Sequence, residues 1–103
     1  MPIPFILGAL AIAALTAVVI ALLGWENIIN WFQNYFSNKG KIKSPDELAF
    51  TVKQSLENGK CKVIQGIFSK KSSKIEDGVE YTAEKLDEQL QEVHANDELV
   101  VYE

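Results

Sequence analysis

The stretch FILGALAIAALTAVVIALL, residues 5–23, contains no charged side chain, and Thr16 is its only polar residue. As a helix rising about 1.5 Å per residue, this run would cover roughly 30 Å, the thickness of the hydrocarbon core of a bilayer. A cleavable signal peptide would carry Lys or Arg before the apolar run, and none is present. The sequence therefore predicts a transmembrane helix over residues 1–24, with a signal peptide or a buried core helix as the alternatives.

The distribution of lysine around this segment predicts its orientation. No Lys precedes the apolar run, whereas Lys39, Lys41 and Lys43 follow it. Cytoplasmic flanks of membrane helices carry an excess of basic residues. We therefore expect a single-pass membrane protein with the N-terminus outside and the C-terminal domain in the cytoplasm.

Small side chains recur every four residues in the apolar run. The predicted helix–helix packing residues are Ala9, Ala13, Ala17, Ala21 and Gly24. At this spacing they share one helix face, along which two helices can approach closely. The pattern favours a homo-oligomer, although alanine is also simply common in apolar spans.

The segment GWENIINWFQNYFSNKG, residues 24–40, predicts an amphipathic juxtamembrane helix over residues 25–37, because its apolar residues recur at helical spacing. Aromatic rings with a polar end favour the headgroup layer of a bilayer. The predicted membrane-interface residues are Trp25, Ile28, Ile29, Trp31, Phe32, Tyr35 and Phe36. Three arrangements stay open: the helix lies along the interface, continues the span, or lines a pore.

A basic tether over residues 38–43 precedes a small cytoplasmic α/β domain over residues 44–103. In that domain Ser44, Pro45 and Glu47 have the types and spacing of a capped helix start. The expected elements are a helix from Ser44 to Asn58, strands over 60–69 and 74–82, a helix over 83–94 and a strand over 98–103. The sequence thus predicts an α+β fold in which an α-β-β-α-β domain holds a three-stranded sheet, with the last strand parallel to a neighbour.

Basic and acidic residues are unevenly distributed along the chain. It has 10 basic and 14 acidic residues and a formal net charge of -4. Most lysines fall in the tether and in the turn before residue 75, whereas acidic residues dominate the last third. The predicted anionic-lipid contacts are Lys39, Lys41, Lys43, Lys70, Lys71 and Lys74. The alternative is a solvated surface with weak intramolecular ion pairs.

The residue types argue against catalysis. Cys61 and His94 are the only Cys and the only His, and no zinc ligand set or phosphate loop is present. We therefore expect no catalytic, cofactor or metal site. Arg is absent, which removes the bidentate contacts that specific nucleic-acid readers use.

These observations predict a membrane-anchored, non-enzymatic binding or adaptor protein, oligomeric or a small subunit of a larger membrane complex. Its expected partners are the lipid bilayer, a second copy of itself, and a larger membrane or cytosolic protein. The alternative function is a membrane-perturbing effector, in which the span and the aromatic helix assemble into a pore controlled by the soluble domain.

Overall fold

The computed structural model describes residues 15–39 and 46–102. Strand β1 spans Thr16–Leu23, and helix α1 follows it at Trp25–Lys39. Three strands come next: β2 at Glu47–Ser55, β3 at Cys61–Ser69 and β4 at Lys74–Leu86. The described chain ends with the short helix α2, Glu88–Val93, and strand β5, Leu99–Tyr102.

The five strands form one sheet in the order β1-β4-β3-β2-β5. Strands β2, β3 and β4 are an antiparallel meander, and β5 pairs antiparallel with β2. Strand β1 pairs parallel with β4, placing Thr16 opposite Val79 and Ile20 opposite Ala83. The sheet is therefore mixed, with β1 and β5 at its two edges.

Both helices pack on one face of the sheet, which we call the helix face. Ile28 of α1 and Leu90 of α2 are fully buried there against side chains of β3 and β4. The second face carries a separate apolar cluster made of Phe50, Val52, Ile64 and Phe68. Leu15, just before β1, packs against this cluster, which contains no residue of α1 or α2.

The prediction of a transmembrane helix is wrong for the part of the span that the structure describes. Residues Thr16–Leu23 form β1, and no helix within 15–39 or 46–102 is long and apolar enough to cross a membrane. The run TAVVIALL is rich in β-branched residues, which pack well on a pleated surface, and it pairs with β4 along its length. Residues 1–14, the first part of the predicted span, lie outside the described residues.

The predicted helix from Ser44 to Asn58 is also wrong. Residues Glu47–Ser55 form β2, which is paired on one side with β3 and on the other with β5. Alternate residues of β2 contribute to the two sheet faces, so Phe50 is buried on the second face while Ala49 is buried under α1. Pairing on both sides and burial on both faces favour a strand. Ser44 and Pro45 lie outside the described residues.

The predicted three-stranded sheet is replaced by five strands. The strands expected over 60–69 and 74–82 lie within β3 and β4, but β4 runs on to Leu86, through the start of the helix expected over 83–94. Buried Ala83 and Leu86 join the core under the helices, and Asp87 then caps the much shorter α2. The last strand exists as β5, but it pairs antiparallel with β2.

Candidate functional site

A groove of about 590 Å³ lies between α1 and the edge strand β5. Its lining residues are Trp25, Ile29, Phe32, Gln33, Phe36, Ser37 and Tyr102. None of these side chains is charged, and five of the seven are aromatic or aliphatic. Ligand sites in proteins are typically concave and mostly apolar, with volumes of about 300–1,000 Å³. This groove has both properties.

Two adjacent rows of side chains along α1 explain how the groove forms. Ile28 and Tyr35 face the sheet and are 0% and 7% exposed. The groove residues on α1 recur at positions 25, 29, 32 and 36, the spacing of a second row beside the first. Burial of the first row therefore leaves the second along the flank of the helix, beside β5.

Tyr102 closes the groove from the sheet side. Its ring centroid lies 5.6 Å from that of Trp25 and 5.9 Å from that of Phe32, with tilted and edge-on planes. Aromatic pairs at these separations and angles attract one another beyond the area they bury. Three rings from two distant parts of the chain thus form one wall.

A chain of hydrogen bonds anchors Tyr102 from beneath the groove. The Thr51 hydroxyl oxygen lies 2.7 Å from the Tyr102 hydroxyl and 2.7 Å from Nε2 of His94. Nδ1 of His94 lies 2.9 Å from the carbonyl oxygen of Asp97. A carbonyl can only accept, so Nδ1 carries the proton in the neutral ring and Nε2 accepts from Thr51. The Thr51 oxygen then accepts from Tyr102, and all three side chains are satisfied.

Burial keeps the side chains of this hydrogen-bond network neutral near pH 7. Loss of hydration lowers the pKa of His94, which is 5% exposed, against the opposing effect of its bond to the Asp97 carbonyl. Burial also raises the pKa of the Tyr102 hydroxyl, and the Thr51 contact offsets part of that rise. The hydrogen bonds that hold Tyr102 in the groove wall are therefore made between uncharged side chains.

Asp87 fixes the end of the groove at which α1 begins. Its Oδ2 accepts a hydrogen bond of 2.9 Å from the backbone N–H of Trp25, the first residue of α1. Gly24, which joins β1 to α1, donates its own N–H to the side chain of Asn27 over 3.0 Å. The start of α1, and with it Trp25, is thus held by the residue that joins β4 to α2 and by the helix's own first turn.

The residues predicted to lie at a membrane interface occupy two different environments in the structure, the groove and the core. Trp25, Ile29, Phe32 and Phe36 line the groove. Ile28 and Tyr35 are core residues, and Trp31 stacks on Tyr35 with ring centroids 5.7 Å apart. The periodic aromatic pattern therefore includes both the buried side of α1 and the side that lines the groove.

The other predicted contact residues are scattered. Ala17 and Ala21 lie in β1 and Gly24 directly follows it, whereas Ala9 and Ala13 lie outside the described residues. Among the predicted lipid contacts, Lys70, Lys71 and Lys74 are exposed at the β3–β4 turn, and Lys39 is the last residue of α1. Lys41 and Lys43 lie outside the described residues. Contact of these lysines with lipid remains a prediction.

Sequence reasoning missed Tyr102 and the side chains that anchor it. The alternation in the last strand predicts that Tyr102 and Val100 share a face, but it does not indicate that this face meets α1. Thr51 falls within the helix predicted from Ser44 to Asn58, and His94 falls at the end of the helix predicted over 83–94, so neither prediction brings them together. Both ring nitrogens of His94 are instead engaged by Thr51 and by the Asp97 carbonyl.

The groove carries few groups that can donate or accept a proton. Its hydroxyls belong to Ser37 and Tyr102, and the pKa of Tyr102 is raised. Within residues 15–39 and 46–102, no three His, Cys, Asp or Glu side chains come together to hold a metal ion. No protein-family model, curated protein or solved structure matches this chain. The proposals that follow therefore depend on geometry and charge.

Proposed function

We propose that this chain is a non-enzymatic binding or adaptor module whose groove between α1 and β5 takes an uncharged, apolar segment of a partner protein. The observation that carries the proposal is the uncharged aromatic lining, in which the rings of Trp25 and Phe32 both contact Tyr102. Buried aromatic anchors supply much of the energy of protein–protein contacts. A charged ligand would lose hydration in this groove without gaining a partner charge.

The position of the groove favours a peptide segment as the occupant. It runs beside β5, the outermost strand at this end of the described sheet. An extended peptide can hydrogen-bond to the main chain of such an edge while alternate side chains enter an adjacent pocket. Gln33 and Ser37 add polar groups to the lining, with which peptide amides and carbonyls can pair. Backbone pairing would supply orientation, and the aromatic wall would select apolar side chains.

The pore alternative gains no support from the described residues. Lining a pore would require the aromatic helix to present its faces to water and to sister helices. Ile28 and Tyr35 instead pack against the sheet, and the N–H of Trp25 is bound by Asp87. Membership of a larger complex, and the location of the domain in the cell, remain predictions.

The test uses peptides selected from a displayed library of random sequences, with affinity for the full chain measured by fluorescence anisotropy. The selected peptides are expected to carry apolar side chains and no acidic residues in their central positions. Ile29→Lys places a charge in the groove and is expected to weaken binding by roughly tenfold or more, because the ammonium must be desolvated. The matched control is Asn34→Lys, an exposed position on the same helix outside the lining.

The outcomes are distinct. Loss of binding in Ile29→Lys with retention in Asn34→Lys supports the groove as the site. Equal binding by both variants, or a library that yields no binder, contradicts the proposal. Unchanged circular dichroism in both variants would show that the difference arises from the groove and not from unfolding.

A further inference from the structure

Strand β1 presents an exposed apolar edge. Its eight residues, TAVVIALL, contain no charge, and within the described chain it pairs only with β4. Val19 is 81% exposed and Leu22 is 53% exposed, the two large apolar residues most open to solvent among those described. Ala17 and Ala21 are also exposed, on the same side of the strand as Val19.

Sheet edges of this kind are normally protected. Native proteins shorten an edge strand, place Lys or Pro on it, twist it away with a bulge, or cover it. At the other end of the sheet, β5 has only four residues, so it offers a much shorter edge beside the groove. Strand β1 has twice that length and no bulge, Pro or charge. An unprotected apolar edge indicates a surface that another strand covers.

We propose that β1 pairs antiparallel with β1 of a second copy of this chain, about a two-fold axis that passes through the edge. A two-fold axis perpendicular to the sheet keeps each side chain on its own face. Residues directly opposite one another must then be both odd-numbered or both even-numbered. Centring the axis on Val19 satisfies this condition and places Ala17 opposite Ala21 of the second copy. Val19, the most exposed apolar side chain, then lies opposite Val19 of the second copy, and the small Ala17–Ala21 pairs lie on either side of it.

Charge explains why the partner is a second copy at this edge. The chain carries a net charge of -4, so two copies repel one another over most approaches. No residue of β1 is charged, and the acidic residues Glu84 and Glu88 lie only near Leu22 at the end of the strand. Antiparallel pairing centred on Val19 places Leu22 opposite Thr16 of the second copy, so these acidic groups do not meet across the axis, and apolar surface is removed from water. Two-fold pairing is self-complementary, so the single strand supplies both halves of the interface. The paired edges would join two five-stranded sheets into one continuous sheet.

The decisive experiment measures the mass of the full chain by sedimentation equilibrium. The parent chain is expected to sediment at twice its mass of 11.5 kDa. Val19→Lys and Val19→Glu each place two like charges opposite one another at the axis, and each is expected to raise the dissociation constant by roughly tenfold or more. An equal mixture of the two variants puts Lys opposite Glu, and the dimer is expected to return as a heterodimer.

Further variants separate the edge from other surfaces. Val19→Thr keeps a β-branched, uncharged side chain and is expected to remain dimeric. Ile29→Lys in the groove is expected to leave the dimer intact, so failure of the binding proposal and failure of the edge proposal can be told apart. A monomeric parent chain, a fully dimeric Val19→Lys variant, or a mixture that fails to recover the dimer would overturn the proposal.

Discussion

Nε2 of Gln65 lies 2.6 Å from the backbone carbonyl oxygen of Ile28, where the Gln65 side chain is fully buried between the sheet and α1. Its Oε1 also accepts a hydrogen bond of 3.3 Å from the Tyr81 hydroxyl. The amide thus uses one donor on the helix and one acceptor on β4. The carbonyl of Ile28, in the first turn of α1, accepts this extra bond and so ties the helix to the sheet.

Gln65→Glu is expected to destabilise the fold by about 3 kcal/mol at neutral pH, because a buried carboxylate would face the Ile28 carbonyl with no donor. Burial raises the pKa of such a carboxyl in the folded state. Its protonated form can still donate, so the deficit relative to the parent should be smallest below about pH 4.3 and grow as the pH rises. Urea unfolding of parent and variant at several pH values measures this deficit.

The matched control for this charge is Gln54→Glu, the same substitution at an exposed position of β2. It is expected to change the free energy of unfolding by less than about 0.5 kcal/mol. Equal effects at the two positions would show that the amide of Gln65 does not hold α1 in place.

A second prediction concerns Asp87, whose carboxylate serves two helix starts. Oδ2 accepts from the N–H of Trp25, and Oδ1 accepts from the N–H of Leu90 over 2.8 Å. Asp87→Ala removes both acceptors and is expected to cost about 1–3 kcal/mol in the free energy of unfolding. Asp87→Asn keeps one acceptor oxygen, so its free energy of unfolding should lie between those of the parent and Asp87→Ala.

The same unfolding measurement on Glu92→Ala provides the comparison for Asp87. Glu92 is an exposed acid of α2 that caps neither helix, so its loss should have little effect. Trp fluorescence should also change in Asp87→Ala, because Trp25 is the residue released. If Asp87→Ala and Glu92→Ala are equally stable, Asp87 contributes little as a cap.

The third prediction is a loss of stability on the acidic side of neutrality. Burial holds the pKa of His94 below its ordinary value of 6.5, so between the two values the unfolded chain binds more protons than the folded chain. Stability is therefore complete above about pH 6.5 and falls as the pH drops toward the folded pKa, by at most about 1.4 kcal/mol per pH unit.

His94 is the only histidine, so its proton resonances report this titration directly by NMR. His94→Gln retains polar groups beside Thr51 and should flatten the pH dependence of unfolding across this range. A folded-state pKa at or above 6.5, or an unchanged slope in His94→Gln, would contradict the prediction.

The elements that the sequence predicts well are those with a distinctive period. The aromatic residues of α1 recur as only a helix allows, and the helix is present from Trp25 to Lys39. The run from Cys61 to Ser69 lacks such a period, but its content of β-forming residues predicts a strand, and it is a strand in the structure. By contrast, TAVVIALL is apolar at almost every position, so it has no period from which helix and strand could be distinguished.

Apolar residues spaced four apart explain why a helix was predicted where the structure has β2. Leu48 and Val52 lie on one face of a helix, but a separation of four residues also returns to the same face of a strand. Phe50, two residues from each, distinguishes the two structures, because it shares their face in a strand but not in a helix. In the structure it is fully buried in the same cluster as Val52. The sequence predicts the aromatic residues of α1 but not that some of them line a groove. Its other wall, Tyr102, depends on the pairing of β5 with β2, which local sequence does not encode.

The parallel pairing of β1 with β4 bears on the order in which the chain folds. Thr16 and Val79, which lie opposite one another, are 63 residues apart, whereas Ser55 and Cys61 close the β2–β3 hairpin over six. Closing the long loop costs more chain entropy, so the β2–β3–β4 meander is expected to form before β1 docks on it. Amide hydrogens of β1 should then exchange with solvent through partial openings that leave the meander intact. The strand that lies at the edge of the finished sheet would also be the first to detach from it.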